Sequence, residues 1–406
     1  MDALTRFLKY VKIETESEEA NYGQTPSSEA QWDLARVLVE ELKEMGIRDA
    51  YVDDFCTVYA HIPATSGYED RKAFGFIAHM DTVVNGKGIK PRIIGNYDGK
   101  DVTLENGVVL RTEQNPELSS LVGRTLVVTD GTTILGADDK AGVAAIMRMC
   151  EMVMGSSAPH GKICVAFTPD EEIGGGVLKF DLEAFGADYA VTVDGGAEDT
   201  IESENFHAVS AKVRVKGVEA HPGSAKGIMV NAARILTEFA AALPAGEVPE
   251  QTEDREGFFH LLDMKGNVEE ASASLILRDF EREGIDRRKQ IIKALEASLN
   301  EKYGEGVVSV EIKNSYSNMK EIVEQHPSLL KNIEKAIGNA GMTPKYLPIR
   351  GGTDGCQLSY KGLPCPNIGA GGYGFHGVHE HCTAEGMENA ARVMCGLVEI
   401  YAGKDA

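Results

Sequence analysis

The sequence predicts an α/β fold in which helices cover a mostly parallel, mixed sheet and a smaller domain is inserted into the chain. Apolar, β-branched segments alternate with amphipathic helical segments outside residues 206–318, and this alternation is typical of a parallel sheet. Within residues 206–318 the order changes to β-α-β-β-α-β, which indicates a separate small domain. The 406 residues also exceed the size of one hydrophobic core, so two domains are expected.

The first predicted elements are two helices. Apolar residues at helical spacing predict the first helix over residues 4–11. Residues 28–31 read Ser-Glu-Ala-Gln, which is a capping-box pattern, and an apolar stripe continues from there until Gly46. We therefore expect Ser28 to cap the second helix.

The strands of the main sheet are predicted by short apolar segments rich in β-branched and aromatic residues. These segments cover residues 57–62, 73–78, 125–129, 162–168 and 188–193. A hairpin is expected at Asn106–Gly107, because this dipeptide favours a tight turn between strands. The C-terminal part returns to the α/β pattern, with helices over residues 328–341 and 352–360 and a strand at 366–368.

The inserted segment has its own regular pattern. Its strands are predicted at residues 208–215, 258–265, 273–280 and 307–312, and its helices at 229–243 and 287–299. This order is that of a split-βαβ, ferredoxin-like unit. We therefore expect residues 1–205 and 319–406 to form one discontinuous domain around an inserted domain of residues 206–318.

Composition limits the partners and the location of the protein. A net charge of −22 argues against nucleic acid, because no basic surface offsets phosphate repulsion. No apolar run reaches the roughly 18 residues of a membrane span, and the first residues lack the pattern of a signal peptide. The seven cysteines contain no Cys-x-x-Cys pair and are expected to be reduced thiols. We therefore expect a cytoplasmic protein without nucleic-acid or membrane partners.

Candidate metal ligands follow the predicted strands. The segment 130–142 follows one strand, opens a helix and carries the adjacent carboxylates Asp138 and Asp139, an arrangement suited to holding cations. His79 and Asp81 follow another strand and point to the same side, so the carboxylate can orient the imidazole. An ordinary polar loop is the alternative for the His-x-Asp motif alone.

Two further strand ends repeat this pattern. Glu171 and Glu172 follow the strand 162–168, where one glutamate can bind metal while the other acts as general base, although a solvated acidic turn is the alternative. Asp194 follows the strand 188–193. Because ligands of open α/β sheets bind beyond the carboxyl ends of the strands, we expect all four strand ends to meet at one rim.

A last imidazole is expected from the C-terminal segment, where His376, His379 and His381 compete. Spacing alone does not choose among them, but glycines on both sides of His376 favour it for close approach. Two imidazoles and three carboxylates suit zinc, cobalt or manganese better than calcium. A bridging carboxylate would hold two such ions about 3.5–4 Å apart around a shared water.

These motifs and their order resemble the co-catalytic zinc exopeptidases, a family that includes carboxypeptidase G, succinyl-diaminopimelate desuccinylase and the aminoacylases. Within that family the match is closest to the tripeptide aminopeptidases. The matching residues are 78–82, 130–142, 168–174, 194–196, 221–227, 278–280, 349–355, 363–368 and 376–380. The resemblance implies the di-zinc exopeptidase fold, with residues 206–318 as a lid and dimerisation domain.

The resemblance also implies a role for each metal-site residue. His79 and Asp194 would bind one zinc, Glu172 and His376 would bind the other, and Asp138 would bridge them; cobalt or manganese could replace zinc. Asp81 would orient His79, Glu171 would act as general base, and the Asp138–Asp139 peptide would be cis.

Substrate contacts are implied for three further residues. His221 would donate to the oxyanion after domain closure, and the resemblance allows a homodimer because this histidine comes from the partner subunit in many relatives. Arg278 and Arg350 are the candidates for the C-terminal carboxylate of the substrate, since a guanidinium matches it bidentately, although a structural salt bridge is the alternative for either. The chain departs from the tripeptide aminopeptidases at Gly374, where asparagine is usual, and at His381, where an apolar aromatic is usual.

The predicted function is therefore a di-zinc aminopeptidase that hydrolyses tripeptides with metal-activated water and Glu171 as general base. One alternative is a related metal-dependent carboxypeptidase, dipeptidase or N-acyl-amino-acid deacylase. Another is a metal-dependent binding or scaffold protein with a decayed site. The presence of every expected ligand and of the base argues against the latter.

Overall fold

The computed structural model describes residues 1–404, which divide into two compact units. The larger unit comprises Met1–Ser203, Met319–Leu347 and the chain from Thr353 onward. The smaller unit comprises Glu204–Asn318 and the short segment Pro348–Gly352. The segment Pro348–Gly352 lies outside the inserted domain that was predicted over residues 206–318.

Ten α-helices and eighteen strands lie within residues 1–404. The helices, in chain order, are α1 (Ala3–Tyr10), α2 (Gln31–Glu44), α3 (Ala137–Met154), α4 (Leu182–Phe185), α5 (Ala232–Ala241), α6 (Arg282–Tyr303), α7 (Lys320–Val323), α8 (Pro327–Asn339), α9 (Asp354–Tyr360) and α10 (Ala384–Tyr401). The strands, in the same order, are β1 (Tyr51–Val52), β2 (Val58–Ile62), β3 (Phe74–His79), β4 (Arg92–Ile94), β5 (Val102–Thr103), β6 (Val109–Leu110), β7 (Leu126–Val128), β8 (Ile163–Thr168), β9 (Tyr189–Gly195), β10 (Thr200–Glu202), β11 (His207–Lys216), β12 (Phe258–Gly266), β13 (Glu270–Asp279), β14 (Val308–Tyr316), β15 (Lys345–Tyr346), β16 (Asn367–Gly369), β17 (Gly372–Tyr373) and β18 (His381–Thr383).

The larger unit is built on an eight-stranded mixed sheet with the order β1-β2-β8-β3-β9-β16-β10-β15. The central neighbours β8, β3, β9 and β16 run parallel to one another, and β10 pairs in parallel with β15. The pairs β1–β2, β2–β8 and β10–β16 are antiparallel. The predicted α/β fold with a mostly parallel, mixed sheet is therefore confirmed.

Both faces of this sheet are buried, because the central strands are apolar along their whole length. Every residue of β3 and of β8 is buried. Alternate side chains such as Phe76 and Val165 join α1, α2, α3, α8 and α10 in one core, while Ile77 and Ala166 join α4 and α9 in a second core on the other face. Because β3 runs parallel to β8 and to β9, the carboxyl ends of the three strands lie at one edge of this sheet.

One prediction about the sheets is wrong. The strand β7 does not belong to the main sheet but to a second, antiparallel sheet with the order β17-β18-β7-β4. The antiparallel partners β4 and β18 satisfy both backbone edges of β7, which leaves none for the main sheet. The loop after β7, rather than the strand end itself, carries Asp138 to the rim. The hairpin predicted at Asn106–Gly107 is present and joins β5 to β6.

The predicted cap of α2 is also wrong. The residue before α2 is Ala30, which makes no side-chain cap. The Ser28 hydroxyl donates instead to the carbonyl of Glu16 at 2.7 Å, and the Gln31 amide donates to Asp170 at 2.6 Å. Partners distant in the sequence thus replace the local cap.

The smaller unit contains β11, α5, β12, β13, α6 and β14, the order of a split-βαβ unit. Its antiparallel sheet has the strand order β12-β13-β11-β14. The apolar side chains of α5 and α6, including Phe239 and Ile292, pack with the sheet in a separate core. The alternation of buried and exposed residues along β11 shows that only one face of its C-terminal half is covered.

Two expectations from composition concern the whole described chain. Among residues 1–404, none of the helices combines the length and apolar character that a bilayer span requires. The seven cysteines are all unpaired, as expected for reduced thiols, and Cys395 alone among them is not fully buried.

Candidate metal centre

Parallel neighbours bring three of the predicted residues to one edge of the main sheet. His79 is the last residue of β3, and Asp194 lies near the end of β9. Glu172 lies in the short turn that follows β8. The Nε2 atom of His79 is 3.4 Å from Oδ1 of Asp194. The carboxyl ends of adjacent parallel strands therefore converge, as expected from the sheet.

The start of α3 adds two adjacent carboxylates to this edge. The Asp138–Asp139 peptide is cis, as the resemblance implies. Asp139 accepts hydrogen bonds from the backbone N–H groups of His79 at 3.2 Å and Gly142 at 3.1 Å, so it joins the end of β3 to the first turn of α3. One of its oxygens also lies within 4.8 Å of ligand atoms of His79 and Asp194. Asp138 is thereby directed toward His79, with Oδ1 at 2.9 Å from Nε2.

The turn between β17 and β18 supplies the second imidazole. His376 has a positive φ of 63°, and its Nε2 atom lies 3.0 Å from Asp138 Oδ2 and 3.1 Å from Glu172 Oε2. His381 is fully buried instead, and its ring stacks on Tyr373 with the centroids 5.3 Å apart. Of the three candidate histidines, His376 is therefore the one that meets these carboxylates.

The donor atoms suit a pair of cations. The four imidazole–carboxylate separations of His79 and His376 lie between 2.9 and 3.4 Å, and ligand atoms of a tetrahedral zinc ion are about 3.3 Å apart. The Oε1 atom of Glu172 is buried and has no hydrogen-bond partner among residues 1–404. A buried carboxylate oxygen without a donor is costly, and a cation would satisfy it. The five residues His79, Asp138, Glu172, Asp194 and His376 thus fit a two-metal site.

Without a metal, this cluster holds protons. Burial lowers the pKa of His79, but the nearby carboxylates of Asp194 and Asp138 outweigh burial and raise that pKa well above its usual value. Hydrogen bonding to Asp138 and Glu172 raises the pKa of His376 to about 10. Burial raises the pKa of Asp194 to about 8. The metal-free cluster therefore favours bound protons at neutral pH, and a bound metal must displace them.

Asp81 contacts both the first imidazole and the glutamate turn. Its side chain is fully buried. Oδ1 accepts the backbone N–H of Glu171 at 2.9 Å, and Oδ2 accepts that of Glu172 at 3.2 Å. The Nδ1 atom of His79 lies 3.1 Å from the Asp81 carbonyl oxygen and 3.3 Å from Oδ1. Asp81 is thus placed to fix the position of His79 and of both glutamates.

Glu171 is partly buried in the same turn. Burial, reinforced by the charge of Asp194, raises the pKa of Glu171 well above its usual value. The contacts of the two glutamates differ. Oε2 of Glu172 lies 3.1 Å from Nε2 of His376, whereas no hydrogen bond joins Glu171 to His79 or His376 among the described residues.

The sequence did not reveal the contacts of two buried charged residues, Asp170 and Lys140. Asp170, with a positive φ of 53°, accepts hydrogen bonds from Ser27 N–H at 2.7 Å and from the Gln31 amide at 2.6 Å. Lys140 is completely buried and donates to the carbonyl of Ile13 at 2.8 Å, and burial lowers its pKa to about 7. Their partners lie more than a hundred residues away in the chain, so no local spacing identifies them.

The three predicted substrate contacts lie in the smaller unit. His221 is exposed, and its Nδ1 atom accepts the backbone N–H of Gly223 at 3.1 Å. The guanidinium of Arg350 donates to three backbone carbonyls of residues 252–256. Arg278 donates through Nη1 to the Arg350 carbonyl at 2.8 Å, whereas its Nε has no partner among residues 1–404.

Comparison with known proteins shows consistent similarity. Residues 128–400 match the model of the peptidase family M20/M25/M40. Peptidase T from Clostridium perfringens is 48% identical over 402 residues, which is 98% of this chain and 98% of that relative. The solved structure of aminopeptidase PepT from Bacillus cereus has a TM-score of 0.77 at 22% identity and covers 99% of this chain and 98% of that chain. The structure of a tripeptidase from Staphylococcus aureus has a TM-score of 0.78 at 21% identity and covers 98% of each chain.

Proposed function

This chain belongs to the peptidase family M20/M25/M40 and is a metallo-aminopeptidase, and on that premise we propose that it removes the N-terminal residue of tripeptides with two zinc ions and Glu171 as general base. The observation that carries the proposal is the position of Asp138. Its two carboxylate oxygens lie 2.9 Å from His79 and 3.0 Å from His376, which supports a bridging role between two cations. The names peptidase T and tripeptidase of similar proteins support the tripeptide preference.

Each ion would have two ligands besides the bridge. His79 and Asp194 would hold one, Glu172 and His376 would hold the other, and cobalt or manganese fits the same donor set. Zinc held by these residues would supply Lewis acidity, for polarising the scissile carbonyl and for making a water molecule nucleophilic at neutral pH.

The residues around the ligands would handle the proton and the imidazole. The carboxylate of Glu171 accepts a proton from the attacking water and then donates it to the leaving amine. Asp81 keeps the Nδ1–H of His79 turned toward itself, so that the Nε2 lone pair is available to a metal. Because Asp81 also accepts the N–H groups of Glu171 and Glu172, the base and the ligand keep a fixed separation.

The smaller unit would provide the substrate contacts. The Nδ1 atom of His221 accepts the Gly223 N–H, so its proton is on Nε2, the form that can donate to an oxyanion. Arg278 is favoured over Arg350 for the substrate carboxylate, because the Arg350 guanidinium is already engaged by backbone carbonyls. A guanidinium that binds the C-terminal carboxylate of the substrate would select peptides by length. The homodimer, the lid role of residues 206–318 and the cytoplasmic location stay predictions.

The variant Glu171→Gln tests the assignment of the base. We expect it to retain two zinc ions and to lose about 10²- to 10⁴-fold in kcat, which is the usual contribution of general acid–base catalysis. Glu183→Gln, at an exposed position in α4, is the matched control and should behave like the wild type. Near-normal turnover by a zinc-loaded Glu171→Gln protein would show that another group is the base.

The substrate class is tested with unblocked and N-acetylated tripeptides, each with and without a chelator. We expect hydrolysis of the unblocked tripeptide alone, and loss of that activity with the chelator. Faster cleavage of dipeptides or of N-acylated amino acids would favour the dipeptidase or deacylase alternative and contradict the proposal.

A further inference from the structure

Glu380 is a buried carboxylate that has no part in the proposed chemistry. Its side chain is 1% exposed and lies just before β18. Oε2 accepts the backbone N–H of Leu135 at 2.6 Å and that of Gly136 at 2.8 Å. Oε1 accepts the N–H of Asp138 at 3.0 Å. All three donors belong to the turn that ends in the proposed bridging residue.

These amides need an acceptor from outside their own segment. They lie in the turn that leads into α3, where Gly136 makes no side-chain cap and Asp138 and Asp139 have non-helical backbone dihedrals. Because the backbone is not helical at these residues, α3 offers their N–H groups no carbonyl partner, and buried N–H groups need one. Glu380, more than 240 residues later in the chain, accepts all three.

The backbone of Glu380 also closes the turn of residues 377–380, which directly follows His376. The Glu380 N–H donates to the carbonyl of Gly377 at 3.1 Å. Glu380 thus joins the segment that carries His376 to the turn that carries Asp138. The side chains of His376 and Asp138 are 3.0 Å apart. Without Glu380, the position of the Asp138 side chain relative to that of His376 would depend on two separate loops.

We propose that Glu380 is a positioning residue that fixes the separation of Asp138 and His376, and so sets the affinity of the metal position that these two residues share with Glu172. The proposal rests on the two-metal site proposed above. The other metal position also uses Asp138, but its remaining ligands His79 and Asp194 lie on β3 and β9, which pair directly in the main sheet, so that position depends on Glu380 less.

The chemistry of the side chain makes the proposal specific. An ionised carboxylate offers acceptor sites on both oxygens, enough for three amides. Glutamine has the same shape but only one acceptor oxygen, and its NH₂ group would face a backbone N–H. At least one of the three amides of the Asp138 turn then loses its acceptor, and the turn can shift away from His376.

The test compares Glu380→Gln with Glu385→Gln. Glu385 is a matched control, because its carboxylate also accepts a backbone N–H from another segment, that of Thr125 at 2.9 Å, but contacts no proposed ligand. We would measure the two zinc affinities of the full chain by competition with a chelator, the visible spectrum of the cobalt-loaded protein, and the thermal midpoint. We expect Glu380→Gln to weaken the binding of one of the two zinc ions, one zinc step, by about 10- to 100-fold, as is usual for groups that orient ligands. We also expect the visible absorption of only one of the two bound cobalt ions to change.

A merely structural role would give a different result. In that case both zinc steps of Glu380→Gln would equal those of Glu385→Gln while the thermal midpoint falls in both, and the proposal would be overturned. Should Glu380→Gln fail to fold, Glu380→Asp would take its place in the test, because aspartate keeps both acceptor oxygens on a shorter side chain. A loss confined to one zinc step supports the proposal, and two unchanged steps overturn it.

The wild-type protein separates this proposal from the proposed function. A wild type that binds two zinc ions but does not cleave tripeptides contradicts the proposed activity, while the Glu380 comparison is still decided by the zinc affinities. A wild type that binds no zinc overturns both.

Discussion

Replacing Asp81 with asparagine should weaken metal binding and slow turnover while the protein stays folded. The buried carboxylate of Asp81 accepts the N–H groups of Glu171 and Glu172 at 2.9 and 3.2 Å, and Oδ1 lies 3.3 Å from His79 Nδ1. Asparagine preserves the shape of the side chain but presents a single acceptor oxygen. Its NH₂ group must therefore face one of the two backbone N–H groups or the imidazole.

The size of the effect follows from these contacts. One buried N–H without an acceptor costs about 1–3 kcal/mol, which is a factor of about 5 to 150 in an equilibrium constant. Loss of a carboxylate that orients a metal-binding histidine usually costs about 10- to 100-fold in metal affinity or activity. Domains of ordinary stability, about 5–15 kcal/mol, tolerate a loss of this size. We therefore expect a folded protein with zinc affinity reduced about 10- to 100-fold.

The assay is chelator competition for zinc, together with kcat at saturating zinc and urea unfolding of the metal-free protein. Asp53→Asn is the control, because the Asp53 carboxylate also accepts two backbone N–H groups, those of Phe55 and Thr57, away from the metal centre. The control should keep wild-type zinc affinity. If Asp81→Asn also binds zinc as tightly as the wild type, the Asp81 carboxylate does not orient His79 and the reasoning is refuted.

Two further predictions concern protons and substrate binding. Zinc uptake at neutral pH should release protons from both imidazoles, because the pKa of His376 is raised to about 10 and that of His79 is raised as well. Zinc affinity should therefore increase with pH below about 10. Calorimetry in buffers of different ionisation enthalpy measures the proton release, and a binding heat that is independent of the buffer would contradict it. Arg278→Lys should raise KM for tripeptides by about 10- to 150-fold with little change in kcat, because lysine cannot bind a carboxylate bidentately. Arg350→Lys should instead lower the thermal midpoint and leave KM unchanged, and steady-state kinetics showing the reverse pattern would favour Arg350 as the substrate contact.

The main sheet could be predicted because its central strands carry a strong local signal. The segments that become β3 and β8 are apolar along their whole length, as required of strands buried on both faces. The strand β7 has an equally apolar sequence, LVV, but only three residues. Such a short strand does not specify its partners, so β4 and β18 determined its sheet. Local periodicity thus predicts a strand but not its neighbours.

The metal ligands could be predicted for the same reason. His79, Glu172 and Asp194 follow strands whose parallel order was readable, and parallel order alone brings their side chains to one edge. The choice among the C-terminal histidines could not be made from spacing. It depends on the positive φ of His376 and on the burial of His381 against Tyr373, both of which arise from tertiary packing.

Of the residues that hold the ligands, Asp81 could be predicted from its position two residues after His79, but Asp170 and Glu380 could not, and the chemistry that they share explains why. Asp81, Asp170 and Glu380 are buried carboxylates whose oxygens accept backbone N–H groups of distant segments. Each contact joins residues roughly ninety to two hundred and forty positions apart, and such a contact imposes no periodicity on the chain. The acidic residues of the site therefore divide into two groups, those that face the proposed cations and those that face amides. Since the amides offset the charge of the second group, the site can concentrate carboxylates without leaving all of their repulsion for the metal ions to neutralise.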